Sequence, residues 1–135
     1  MAVSLDELFD LRDNLIALAS QPPLDHSPET IDRLITARTY YCVYHYGLDI
    51  ALANGYVVPS GGSVHQALWA YFKNRQLPKY KKIGHWGHDL HVFRGNADYD
   101  IHIPFGAIRK DAVALSADIM DRLNQFDADI ASNKQ

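Results

Sequence analysis

Residues 38 to 45 read Arg-Thr-Tyr-Tyr-Cys-Val-Tyr-His. A seven-residue step is nearly two helical turns, so on a helix Arg38 and His45 emerge on one face and can act on one ligand. Histidine takes or gives a proton near neutrality, and the arginine fork matches the oxygens of a carboxylate or phosphate. On a wheel at 100° per residue, Ile31, Leu34, Ile35, Cys42 and Leu52 flank the same direction, which places both polar groups within an apolar stripe. An arginine buried there without a partner is costly, so it is expected to meet a carboxylate, a phosphate or water in a cleft. The structural alternative pairs Arg38 with an acid such as Asp98 and lets His45 bond a backbone carbonyl.

Other residues could support or extend that pair. Tyr41 lies three residues from Arg38 and four from His45, where its hydroxyl could orient either group or simply pack. Tyr40 and Tyr44 point elsewhere on the wheel and read as structural. Arg94 and Asp98 are four apart, which suits an intrahelical ion pair; the functional reading has Asp98 hold Arg38 or His45, or Arg94 contact phosphate. Lys73, Arg75, Lys79, Lys81 and Lys82 crowd one short span and form a candidate RNA-binding patch, with a solvated loop as the plainer reading. His85, His88 and His91 suggest a metal site only superficially. On a helix, steps of three drift by 60° each, and no cysteine or carboxylate completes a zinc spacing, so no metal and no cofactor are expected.

These groups must be positioned by a fold. At 135 residues the chain suits one domain over residues 1 to 135, with a polar tail from about 130 that should fray from Ser132 to Gln135. A composition of 47% hydrophobic and 21% charged residues excludes disorder and fibrous repeats. The single cysteine, Cys42, has apolar neighbours and reads as a buried thiol in a reducing compartment. No leader or membrane-spanning run is evident, so the chain reads as cytoplasmic, unprocessed and without a membrane partner. A net charge of −3 argues against nonspecific coating of nucleic acid, which needs many phosphates neutralised at once.

Five helices and no sheet are expected. The first starts at a Ser4/Glu7 capping box, carries Leu5, Leu8, Phe9, Leu15, Ile16 and Ala19 towards the core, and stops at Gln21-Pro22-Pro23. The second runs from a Ser27 cap and Pro28 to Asn54-Gly55 and is the longest element. Ser63 caps a third, with Val64, Ala67, Leu68, Tyr71 and Phe72 on one side, before Pro78 and the basic segment interrupt. The fourth is expected from about His85 to Asp100, its limits blurred by Gly84, Gly87 and Gly95. The last begins near Pro104 with a stripe of Ile108, Ala112, Leu115, Ile119, Leu123 and Phe126.

Three segments of this chain resemble the HEPN domain family. Arg38-Thr-Tyr-Tyr-Cys-Val-Tyr-His45 is similar to its RAYYAxFH stretch, Ser63 to Trp69 to the sHxxv start of its next helix, and Phe93 to Tyr99 to its lRxxADY segment. The likeness spans roughly residues 30 to 125, with Gln66 and the glycine- and histidine-rich approach to Arg94 as departures. It implies an all-α, up-and-down HEPN-like helical bundle that forms a two-fold homodimer, bringing two Arg38/His45 pairs into one cleft. It further implies a metal-independent endoribonuclease, the toxin of a toxin–antitoxin or phage-defence system restrained by a nucleotidyltransferase-type antitoxin. The alternative it leaves open is a non-catalytic HEPN module that binds a nucleotide, RNA or that partner through the same groove.

Overall fold

A computed structural model describes residues 4–19, 28–100 and 102–133. These form five helices, α1 (Leu5–Ala19), α2 (Pro28–Ala53), α3 (Val64–Lys73), α4 (Pro78–Tyr99) and α5 (Gly106–Asn133), with no strand among the described residues. None of these helices is long and apolar enough to cross a membrane.

Several helix limits follow from local chemistry. The Ser4 hydroxyl accepts the Glu7 amide and the Ser63 hydroxyl accepts the Gln66 amide, both at 3.2 Å, so these two caps are as expected. Gly55 ends α2 with a φ of 94°, which an L side chain rarely adopts. The Ser27 cap and the Gln21-Pro22-Pro23 stop lie outside the described residues. Two limits depart from expectation. Pro78 starts α4 instead of only interrupting α3, because its fixed φ and missing amide suit a first helical position. The last helix reaches Asn133, beyond the point where fraying was expected.

Helix α2 is buried against its neighbours around most of its circumference. Leu68, Trp69 and Phe72 of α3, Ile83 and Leu90 of α4, and Ile119, Leu123 and Phe126 of α5 fill the core with Tyr40 and Val43. The expected stripe of α5 is therefore largely realised, whereas Val64 of α3 is exposed. Helix α1 is peripheral: Leu5, Leu8, Phe9, Leu15 and Ile16 are only half-buried.

Side-chain contacts give the helix directions. Tyr41 meets Arg94 and Arg33 meets Ala97, so α2 and α4 are antiparallel, while Tyr80 against Phe126 makes α4 and α5 antiparallel as well. Helix α3 breaks strict up-and-down alternation. His65 stacks on His91 while Trp69 lies over Gly87 and Gly84, so α3 opposes α4 and runs in the direction of α2. A methyl group at Gly87 would fall inside the Trp69 ring, and one at Gly84 would strike the Trp69 carbonyl and the Lys73 stem. The two glycines that blur the helix in sequence are what let α3 sit directly on α4.

Arg33 locks the far end of α4. Its Nη1 donates to the carbonyls of Asn96, Ala97 and Asp100 at 3.2, 3.1 and 2.8 Å, and its Nη2 to that of Ile103 at 2.6 Å. Glu29 pairs with Arg33 at 3.2 Å and accepts the Phe105 amide at 3.1 Å. Carbonyls at the end of α4 and the Phe105 amide just ahead of α5 are thereby satisfied from α2, and Ala97 and Asp98 lie beside Arg38.

Candidate active site

Helix α2 leaves one narrow face open between α1 and the end of α4, and Arg38, His45 and Asp49 are exposed there with Leu34 and Leu52. Ile31, Ile35 and Cys42, on the other flank of Arg38, are buried. The expected conflict of an arginine inside the apolar stripe therefore does not arise. The stripe has an edge, and the pair lies on its open side. Burial pushes the Cys42 thiol up to about 11, as suits an inert core group.

Neither Arg38 nor His45 has an ion pair or hydrogen bond among the described residues. The helical rise separates their Cα atoms by about 10 Å. Arg38 lines an open groove of about 500 Å³ with Thr30, Leu34, Tyr41, Ala97 and Asp98. His45 borders a second hollow of about 370 Å³ with Leu5, Leu8 and Asp49. Tyr41 stands between them, its ring 6.5 Å from that of His45.

The supporting residues divide differently from expectation. Asp98 approaches Arg94 Nε at 3.2 Å and does not pair with Arg38, so the intrahelical ion pair prevails over the reading in which Asp98 holds Arg38 or His45. Arg94 Nε is sealed from solvent and its approach to Asp98 is not aligned as a hydrogen bond, which leaves a Coulombic contact. Arg94 Nη2 donates to the Tyr41 hydroxyl at 2.5 Å, and the guanidinium sits 5.2 Å from the Tyr41 ring centre. Tyr41 is thus oriented by Arg94.

The basic segment is mostly engaged in the fold. Arg75 Nε donates to the Tyr71 carbonyl at 2.8 Å and its guanidinium covers the Tyr71 ring at 4.1 Å. Lys79 pairs with Asp129 at 3.0 Å, the Lys73 stem lies against Gly84, and Lys82 approaches the Trp86 ring at 5.9 Å. Lys81 is exposed. These cations gather where α3 meets α4, and the helical rise of α4 puts its own three, Lys79, Lys81 and Lys82, at least about 24 Å from Asp98.

His85, His88 and His91 do not converge, and among the described residues no group of three histidine, cysteine or acidic side chains could hold a metal ion. His91 is not a surface histidine, however. It is half-buried, stacked at 5.1 Å on Tyr40 and at 4.9 Å on His65. Burial first, then the charges of Arg94 and neighbouring histidines, push both His65 and His91 below the usual histidine range. Tyr40, read as structural, is wholly buried, yet its hydroxyl reaches His65 Nδ1 at 2.7 Å. A sequence signal existed for this group: His65 and Trp69 are four apart, as are Tyr40 and Tyr44, so each pair shares a helix face.

Compared with protein-family models, curated proteins and solved structures, the chain finds no match.

Proposed function

We propose that this chain is a metal-independent endoribonuclease whose working groups are Arg38 and His45. The observation that carries the reading is that both are exposed on one face of α2 without an ion pair or hydrogen bond among the described residues, with an open groove beside them. A structural arginine and histidine would be engaged by the fold, as Arg33 and His65 are.

In the proposed reaction the 2′-oxygen of a ribose attacks the adjacent phosphorus, the new O2′–P bond forms and the P–O5′ bond breaks. One imidazole takes the 2′-hydroxyl proton and another protonates the departing 5′-oxygen, while Arg38 offsets the charge building on the phosphate oxygens. Two histidines are available if two copies of α2 face each other, as the resemblance to HEPN domains implies. Exposed Leu34 and Leu52, which flank the pair, support such a face-to-face arrangement. In that reading the protein is a toxin of a toxin–antitoxin or phage-defence pair, acts in the cytoplasm, and is restrained by a nucleotidyltransferase-type partner.

The test is cleavage of RNA by the purified protein in excess EDTA. The expected products carry 2′,3′-cyclic phosphate ends, and Arg38→Ala and His45→Ala each reduce the rate by orders of magnitude. Cleavage surviving both substitutions sinks the mechanism. RNA binding through the same residues without cleavage, and no toxicity on expression, would point instead to a non-catalytic binding module.

A further inference from the structure

Trp69 has one polar atom, and its Nε1–H donates to the Tyr40 hydroxyl oxygen at 3.1 Å. An indole nitrogen only donates, so the direction of this bond is settled and the proton of Tyr40 points elsewhere. The other partner of that hydroxyl is Nδ1 of His65 at 2.7 Å. With the Tyr40 proton directed at it, Nδ1 accepts, and the neutral ring carries its own proton on Nε2. The opposite arrangement would make Tyr40 accept twice and strand its proton inside the core, since Tyr40 is fully buried.

The free end of His65 is equally constrained. Nε2 has no partner among the described residues, and the sealed polar atoms without partners are Thr39 Oγ1, Tyr56 OH and Arg94 Nε. Nε2 therefore meets solvent. The ring lies 4.4 Å from that of Tyr44, 4.9 Å from His91 and 6.3 Å from Tyr41, at the mouth where α2, α3 and α4 meet.

We infer that His65 is a further binding residue where α2, α3 and α4 meet, held as the Nε2–H tautomer by the Trp69–Tyr40 chain to donate to a phosphate oxygen beside His45 and Arg94. The inference rests on the phosphodiester reading above. An uncharged donor suits this position, because the groups facing it are Tyr40, Tyr41, Tyr44 and His45 from α2 and His91 and Arg94 from α4. Arg94 and His45 both disfavour a further cation there, after burial itself. A tyrosine hydroxyl whose ionisation burial opposes, as for Tyr40, stays a proton donor throughout the working range. Arg38 and His45 are exposed on the open face of α2, whereas His65 is held in one orientation by its bond to Tyr40.

Nitrogen-15 spectra of the imidazoles in the free protein, with His65 assigned by its loss in His65→Gln, read the tautomer without any ligand. The expected pattern is Nε2–H at pH 7.5, giving way to mixed tautomers in Tyr40→Phe. A non-cleavable 2′-O-methyl oligoribonucleotide should then shift the His65 signals. Its affinity should fall about tenfold in His65→Asn, while His65→Gln, whose side-chain nitrogen reaches the Nε2 position, keeps most of it. An Nδ1–H tautomer in the parent overturns the inference. So does affinity unchanged in His65→Asn but lost in Arg38→Ala, a result that leaves the phosphodiester reading standing. Binding unaffected by Arg38→Ala and His45→Ala overturns that reading itself, and with it the ligand proposed for His65.

Discussion

In the span from Lys73 to Lys82, Arg75 is bound to Tyr71 and Lys79 to Asp129, and the Lys73 stem fills the space over Gly84. On the open face of α2, Arg38 and His45 have no ion pair or hydrogen bond among the described residues, although far fewer cations gather there. Density of positive charge in the sequence and availability of that charge in the fold are thus different quantities. A cation near a helix end has carbonyls and aromatic faces within reach and tends to be drawn into capping. A cation in mid-helix has satisfied backbone around it and is free unless a neighbouring helix supplies an acid. Here Asp98, which lines the same groove as Arg38, is occupied by Arg94.

The largest expected effect tests the free side of this comparison. Arg38→Ala and His45→Ala should each lower RNA cleavage by about a hundredfold or more, yet leave the unfolding free energy within about 0.5 kcal/mol of the parent. A large loss of stability in either would mean that the pair supports the fold after all. Next comes the packed side. Gly87→Ala drives a methyl into the Trp69 ring and should destabilise the protein by about 3 kcal/mol in denaturant titrations, since α3 must lift off α4 or the ring must move. An unchanged transition midpoint would show that α3 is not seated as described.

A smaller effect separates the cations of the basic span from one another. Arg75→Ala should cost about 1 kcal/mol of stability, and Lys79→Ala less, because its pair with Asp129 is exposed to water. Lys81→Ala should leave stability unchanged. If Arg75→Ala and Lys79→Ala weaken RNA binding as much as Arg38→Ala does, with no change in stability, the contrast between engaged and free cations fails.

The smallest effect concerns pH. His65 and His91 have lowered values in the folded state, so below the unfolded histidine value of about 6.5 the unfolded chain binds more protons than the folded one. Stability should therefore decline as pH falls through that region and level off above it. Replacing His65 and His91 by glutamine should flatten this dependence, whereas replacing the exposed His85 should not. A pH profile unchanged in the double variant would mean that the stacked pair carries no charge penalty.

Much of the scaffold was legible without coordinates. The Ser4 and Ser63 caps, the Gly55 stop and the apolar stripe of α5 are local signals, set by which side chain reaches which amide and by the 3.6-residue period. The co-facial placement of Arg38 and His45 is equally local, a matter of seven residues on one helix. What such rules do not reach is which side of a helix its neighbours cover. Gly84 and Gly87 weaken a helix by propensity alone, and only the close approach of α3, with the Trp69 ring over Gly87 and the Trp69 carbonyl and Lys73 over Gly84, explains why α4 carries both. For the same reason the wheel placed Arg38 inside an apolar stripe, but the packing of neighbouring helices leaves Cys42 buried and Arg38 open. Tyr40, His65 and His91 come from three helices and meet only when α3 lies along α2 against α4. The sequence by itself determined the helices and the shared face of Arg38 and His45, because both depend on contacts within a few residues. The tertiary structure alone decided which charges are free, since that depends on partners contributed by distant parts of the chain.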